Sequence, residues 1–215
     1  MGKISDWVNR QRHNRGYGIQ SPSEFFFVTQ VLKEHLPYYA YALLDEIARK
    51  NNLKPRLLKE LFRITNHYKP QNCIAVDSPA VACAMTVAKP SATCYSISTK
   101  PTEATTEVLL AETGCNVQHG NTVKLLNDVL EKEKNAGMLY IGNSPERAAI
   151  LETAMRYTTE KSIIVIEGVQ NDSATRKWWQ SIIENPATII TYDMYSYGFL
   201  LFNRERRKQH YTLKR

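Results

Sequence analysis

The sequence predicts an α/β protein: a mainly parallel sheet of seven strands with helices on both faces, its last strand antiparallel, preceded by a helical extension. Three observations carry this. Beyond Pro70, short apolar runs alternate with helical patterns, which requires crossover connections and therefore parallel strands. Near the C-terminus "ATIITYDM" and "YGFLLFNR" are joined by only a few residues, and so short a link permits only antiparallel pairing. Before Tyr68 the apolar residues recur at three- and four-residue spacing, the period of helices. The expected division is an extension over 1–69 and a sheet domain over 70–215.

The elements follow in order. "SPSEFFFVTQVLKEH" offers Ser21 as N-cap, Pro22 at the first helical position and Glu24 three residues after the cap, a capping box in which proline's missing N–H costs nothing. "YYAYALLDEIARKN" and "RLLKELFRITNHY" continue the helical pattern. "CIAVD", "TCYSIS", "NVQH", "MLYIG" and "SIIVIE" are the next strands, and between them lie "AVACAMTVA", "TEATTEVLLAET", "TVKLLNDVLEKEK" and "ERAAILETAMRY". The helix "ATRKWWQSIIEN" leads into the closing hairpin. The aromatics of "EFFFV", "LPYYAYALL" and "YDMYSYGF" are expected to glue the extension to the sheet, with an interface as the alternative.

Composition narrows the function classes. The chain has 215 residues, 43% hydrophobic and 23% charged, enough for one well-buried core and an extension. No apolar run approaches the roughly 20 residues of a membrane span, and "MGKISDWVNRQRHNRG" lacks the apolar core of a signal peptide. A cytoplasmic protein without membrane contact is expected. The formal charge of +7 comes largely from the two ends. No nucleic-acid-binding motif lies between them, so the basic ends read as solvated faces. A protein partner or a second copy of the chain remains open. Cys73, Cys83, Cys94 and Cys115 show no C-x-x-C spacing and the five histidines no ligand spacing; buried free thiols and no metal are expected.

The stretch "CIAVDSPAVACAMTVA" is a strand, a tight corner and a helix, yet its corner carries no glycine, and none occurs between Gly18 and Gly114. Nucleotide-binding α/β proteins place glycines at such corners so that a ligand can approach the backbone. Here the corner is Asp77-Ser78-Pro79-Ala80-Val81. Ser144-Pro145 follows the fourth strand in the same way. Each serine is expected to accept a bond from the first helical turn while proline removes another donor. Such a cap stabilises the helix start and narrows the room for a ligand.

Gly18-Ile19-Gln20-Ser21-Pro22-Ser23, Trp178-Trp179, the set Asp193, Gly198 and Phe202, and the tail Lys208-Gln209-His210-Tyr211 together resemble motifs of a bacterial family of class I S-adenosylmethionine-dependent methyltransferases with a helical N-terminal extension. The resemblance covers nearly the whole chain. It implies a Rossmann-like methyltransferase fold and, for an intact member, S-adenosylmethionine as cofactor. The family's first strand ends E-L-G-T-S-L-G, where this chain has Ala75-Val76-Asp77-Ser78-Pro79-Ala80-Val81. Its second ends in an acid that holds the ribose, where this chain has Ile97-Ser98-Thr99. Its I-D-G becomes Ile141-Gly142-Asn143, and its D-D-I becomes Glu167-Gly168-Val169. All four departures fall at the carboxyl ends of strands, the edge on which such sheets bind ligands.

The resemblance therefore implies a degenerate, non-catalytic member with no cofactor bound. The alternatives are an active methyltransferase with an atypical pocket, and a binder of another small ligand or of a protein at the altered crevice. If cofactor binds, Asp77, Ser78, Ser98 and Asn121 are the positions that would hold it. If the chain is active, Glu167 is the candidate general base, with Asn143 beside it. The plainer role for Glu167 is a solvated carboxylate capping the following helix.

Overall fold

The structure, a computed structural model, describes residues 19–101 and 104–213, without the side chains of Ala104 and Thr105. Gly18 of the first motif, the basic N-terminus and the last two residues lie outside that range. The extension contributes α1 (Pro22–Phe26), running directly into a π-helical stretch over Phe27–Leu32, then α2 (Tyr41–Lys50) and α3 (Pro55–Tyr68). The alternating region runs β1 (Asn72–Val76), α4 (Pro79–Ala88), β2 (Thr93–Ser98), α5 (Ala104–Glu112), β3 (Asn116–His119), α6 (Thr122–Glu133), β4 (Met138–Ile141), α7 (Arg147–Met155), β5 (Ile163–Glu167) and α8 (Ser173–Glu184). β6 (Ile190–Asp193), β7 (Tyr197–Leu201) and β8 (Gln209–Thr212) close the chain.

One sheet holds them in the order β3-β2-β1-β4-β5-β7-β6-β8. β7 inserts antiparallel between β5 and β6, as the short hairpin link requires. The sheet has eight strands rather than seven. The eighth comes from the basic tail, which returns along β6 in parallel, with Tyr192 opposite Tyr211. Only four residues long and mostly polar, β8 carries too little periodicity to register as a strand in the sequence. The strand order reverses between β1 and β4, so the connections leave their carboxyl ends in opposite directions and open a crevice there.

Strand residues alternate between two apolar layers. Cys73, Ala75, Ile163 and Val165 face the layer containing α1 to α4, whereas Ile74, Val76, Ile164 and Ile166 face α6, α7 and α8. The sequence "PAVACAMTVA" is apolar all round because α4 is enclosed between the sheet and neighbouring helices, α3 above all; Ala80, Ala82 and Ala84 are all buried.

Buried charge ties the extension down. Glu24 is 1% exposed and does not reach back to the start of its own helix as a capping box would. Its carboxylate accepts hydrogen bonds from the Tyr192 hydroxyl on β6 and from the Arg206 guanidinium. Ser21 makes no side-chain cap. Glu60, also 1% exposed, accepts from Arg56 Nε at 2.7 Å and from the Tyr197 hydroxyl at 3.0 Å. Arg63 donates to the carbonyls of Val31 and Leu32 at 2.7 and 2.8 Å and to the Tyr41 hydroxyl at 2.8 Å, satisfying the open end of the π-helical turn. Around these bonds Phe27 packs against Tyr68, Tyr192 and Phe199 with ring centroids 5.3–5.5 Å apart. The aromatics thus do glue the extension to the sheet, although Phe25, Phe26 and Tyr39 stay exposed.

All four cysteines are free and buried. Burial pushes the Cys83 and Cys115 thiols up to about 12 from an ordinary 9.0, with the neighbouring thiols adding to the shift. The folded protein keeps protons that the unfolded chain releases above pH 9. The thiols' contribution to stability is therefore fully present below pH 9 and is lost as the pH rises towards 12. Urea midpoints should be level from pH 7 to 8 and correspond to a loss of about 2 kcal/mol between pH 9 and pH 10. Equal stability at pH 8 and pH 10.5 would contradict this account of the thiol cluster.

Candidate functional site

The corner after β1 retains a glycine-like shape without a glycine. Asp77 adopts φ +52°, a left-handed conformation that aspartate tolerates better than most residues. Its N–H donates to the Ile97 carbonyl at 2.8 Å, and its Oδ1 accepts from the Thr99 N–H at 3.1 Å. Both bonds cross to the end of β2. Ser78 is buried but makes no side-chain cap to α4. Its extended φ of −150° and ψ of 76° leave its carbonyl to accept from Val81 and Ala82 at 3.0 and 3.2 Å. The serine-cap expectation fails at this corner because the backbone does the capping. After β4, Ser144 Oγ does accept a bond, from the Glu146 N–H at 3.3 Å, in a turn preceding α7 rather than at its cap.

The end of β2 is bonded inward as well. Ser98 is 6% exposed; its Oγ donates to the Lys100 carbonyl at 2.8 Å and lies 2.9 Å from His119 Nδ1 on β3. His119 Nε2 sits 3.5 Å from Glu107 Oε1. Asn121 caps α6, accepting from the Lys124 N–H at 2.8 Å.

Across the switch point, β4 presses against the same corner. Gly142 donates its N–H to the Val76 carbonyl at 2.9 Å. A Cβ at this position would lie 2.8 Å from the Asp77 carbonyl oxygen and 2.9 Å from that of Val76. Both obstacles are backbone atoms, so no acidic side chain fits where the related motif carries its aspartate.

Asn143 and Glu167 are brought together, as the topology implied. They line a cavity of about 620 Å³ shared with Lys54 and Arg56 from the start of α3, Gln170 after β5 and Tyr195 in the β6–β7 turn. Glu167 does not cap the next helix. Asp172 performs that task, accepting from the Thr175 N–H at 2.8 Å and its hydroxyl at 2.7 Å. Lys54, Arg56, Gln170 and Tyr195 were not singled out from the sequence; Arg56 comes from the first turn of α3 and the others from connecting segments, and no local motif marks a residue that reaches a distant strand end. Among the described residues, no group of three or more histidine, cysteine, aspartate or glutamate side chains is placed to hold a metal ion. No described helix is long and apolar enough to cross a membrane.

No protein-family model matches the chain, and no curated protein matches it. Solved structures do. The methyltransferase PaMTH1 of Podospora anserina, bound to SAH, superposes with a TM-score of 0.61 at 11% identity, over 94% of this chain and 96% of that one. The O-methyltransferase TomG of Streptomyces achromogenes, in complex with SAM, gives 0.58 at 14% identity, over 83% and 94%. Cofactor-bound Rv0187 from MTB gives 0.60 at 14% identity, over 86% and 99%. The fold is that of the S-adenosylmethionine-dependent methyltransferases. At such low identity the likeness concerns the fold alone, since function resides in the site. In this methyltransferase fold, β1, β2 and β3 border one half of the crevice, whereas Asn143 and Glu167 belong to the other.

Proposed function

We propose that this chain keeps the methyltransferase fold without using S-adenosylmethionine, and acts as a non-catalytic binding protein. The observation that carries the reading is the bonding across the β1 corner: Asp77 to Ile97 and Thr99, and Gly142 to Val76. Those contacts spend backbone donors and close space that a cofactor's backbone approach would need. The residues themselves fit the cofactor poorly. Val81 is fully buried, Pro79 has no N–H to offer, and the Ser98 hydroxyl is already engaged with Lys100 and His119. A single hydroxyl does not replace the paired charge-assisted bonds of a carboxylate to a ribose. Four buried free thiols suit a reducing, cytoplasmic setting, and a protein partner or a second copy belongs to the same reading.

A melting experiment tests this. With a dissociation constant of about 10 μM, S-adenosylhomocysteine at about 1 mM would stabilise the fold by about 2.7 kcal/mol. For a chain of this size that raises Tm by roughly 5–10 °C. No rise is expected; a rise of that size would refute the reading.

The second reading, an active methyltransferase with an atypical pocket, is favoured by one observation: Glu167 and Asn143 line the same cavity. Glu167 could then accept a proton from a substrate hydroxyl. That reading requires the melting shift which the first denies.

A further inference from the structure

A cavity of about 440 Å³ opens between the π-helical segment and the end of α3. It sits just before β1, at the amino end of that strand, whereas the β1 corner follows the carboxyl end. It therefore serves equally a protein that binds S-adenosylmethionine and one that does not.

The charge of its lining is unbalanced. Arg63 lines the cavity and is 8% exposed. Its guanidinium is solvated by the Val31 and Leu32 carbonyls and the Tyr41 hydroxyl, dipoles without net charge, and no carboxylate among the described residues forms an ion pair with it. Buried charges are ordinarily paired. Lys69, also in the lining, has no ion-pair partner among the described residues either. It adopts φ +50°, past a helix end where glycine is favoured, so the ammonium is held there at a backbone cost. The carboxylate of the lining, Glu34, is engaged with its own turn: Oε1 accepts from the N–H groups of His35 and Leu36, both at 2.9 Å.

Apolar groups stand beside these cations. Phe26 is 52% exposed, with its ring centroid 6.0 Å from that of His67. Tyr38 lines the cavity, and Leu36 and Tyr39 on the same segment are exposed. A small anion needs cations alone; exposed rings around a cationic lining suit a polypeptide that brings apolar anchors as well as charge.

We infer that this face docks an acidic segment of a protein partner. One aromatic or aliphatic side chain of the segment packs beside Phe26 and Tyr38, and its carboxylates meet Lys69 and the field of Arg63. The formal charge of +7 speeds encounter with such a partner.

Selection from a displayed library of random peptides, with the whole protein as bait, tests this. Enriched peptides should carry aspartate or glutamate within about two residues of phenylalanine, tyrosine or leucine. Calorimetry with one such synthetic peptide should give a Kd below about 100 μM, rising at least about tenfold in Phe26→Ser and in Lys69→Gly. Glycine suits the left-handed backbone, so Lys69→Gly should keep Tm within about 2 °C of the parent, which separates loss of the charge from loss of the fold. Replacing the peptide's acids by their amides should weaken binding by a similar factor. Enrichment of basic or uncharged peptides, no enrichment, or affinity unchanged in either variant would overturn the proposal. So would self-association of the protein at about 100 μM that Phe26→Ser abolishes, since the face would then belong to a second copy of the chain.

Discussion

Glu24→Ala is expected to cost about 3 kcal/mol, the lower end for breaking a buried ion pair, because Arg206 keeps 34% exposure and water can reach it. The carboxylate is 1% exposed and serves two donors from distant parts of the chain, Tyr192 on β6 and Arg206 beyond β7. Alanine strands both. The Tyr192 hydroxyl would remain buried without its acceptor, which is the expensive half of the change. In a chain of this size the loss lowers Tm by roughly 6–12 °C. Glu24→Gln keeps an acceptor and removes the charge, so it should lose about half as much. Urea unfolding of the three proteins checks this. An alanine variant within about 1 °C of the parent would mean that the Glu24 bonds contribute nothing to holding the extension.

Gly198→Ala should be the most damaging single methyl group in the sheet. A Cβ on this β7 residue would lie 2.4, 2.6 and 2.8 Å from three atoms of the Trp179 indole. Trp179, on α8, is 2% exposed and packed within the apolar layer between that helix and the sheet, so the ring has little room to retreat. Overpacking of this kind costs about 1–3 kcal/mol, and the upper end is expected because β7 lies between two strands and cannot bow outward. Trp179→Leu alone should also destabilise by leaving a cavity. The double variant should be more stable than the sum of the two losses, a positive coupling of about 1 kcal/mol or more for residues in contact. Simple additivity would show that the indole does not rest on Gly198. This contact gives a physical reason for a glycine at a position that the sequence marks only as part of a motif.

β1, β4 and β5 were legible because each is an apolar run buried on both faces, and the alternation with helices placed the more polar β3 beside them. β8 was not legible. Among the described residues Gln209 to Thr212 pair with β6, where Tyr211 stacks on Tyr192 with ring centroids 5.1 Å apart. Glu24 was misread for a related reason. S-P-S-E has the spacing of a capping box, and nothing local reveals that a tyrosine 168 residues further on offers a buried partner. At the site, Asn143 and Glu167 could be placed together from topology alone, since β4 and β5 are neighbours. The Ser98–His119 contact needed the β2–β3 register, in which the two residues stand opposite each other. Lys54 and Tyr195 reach the cavity from connecting segments, and Arg56 from the first turn of α3; no periodicity describes where those segments run.

The central claim is that the β1 corner is closed by the chain itself. Amide-resolved NMR of the 15N-labelled protein, titrated with S-adenosylhomocysteine to about 1 mM, tests it most directly. The Asp77, Thr99 and Gly142 amides donate to Ile97, Asp77 and Val76 respectively. The account predicts that all three exchange slowly with solvent and that their resonances do not move during the titration. Fast exchange at these amides, or saturable shifts centred on them, would show a corner that opens for the cofactor.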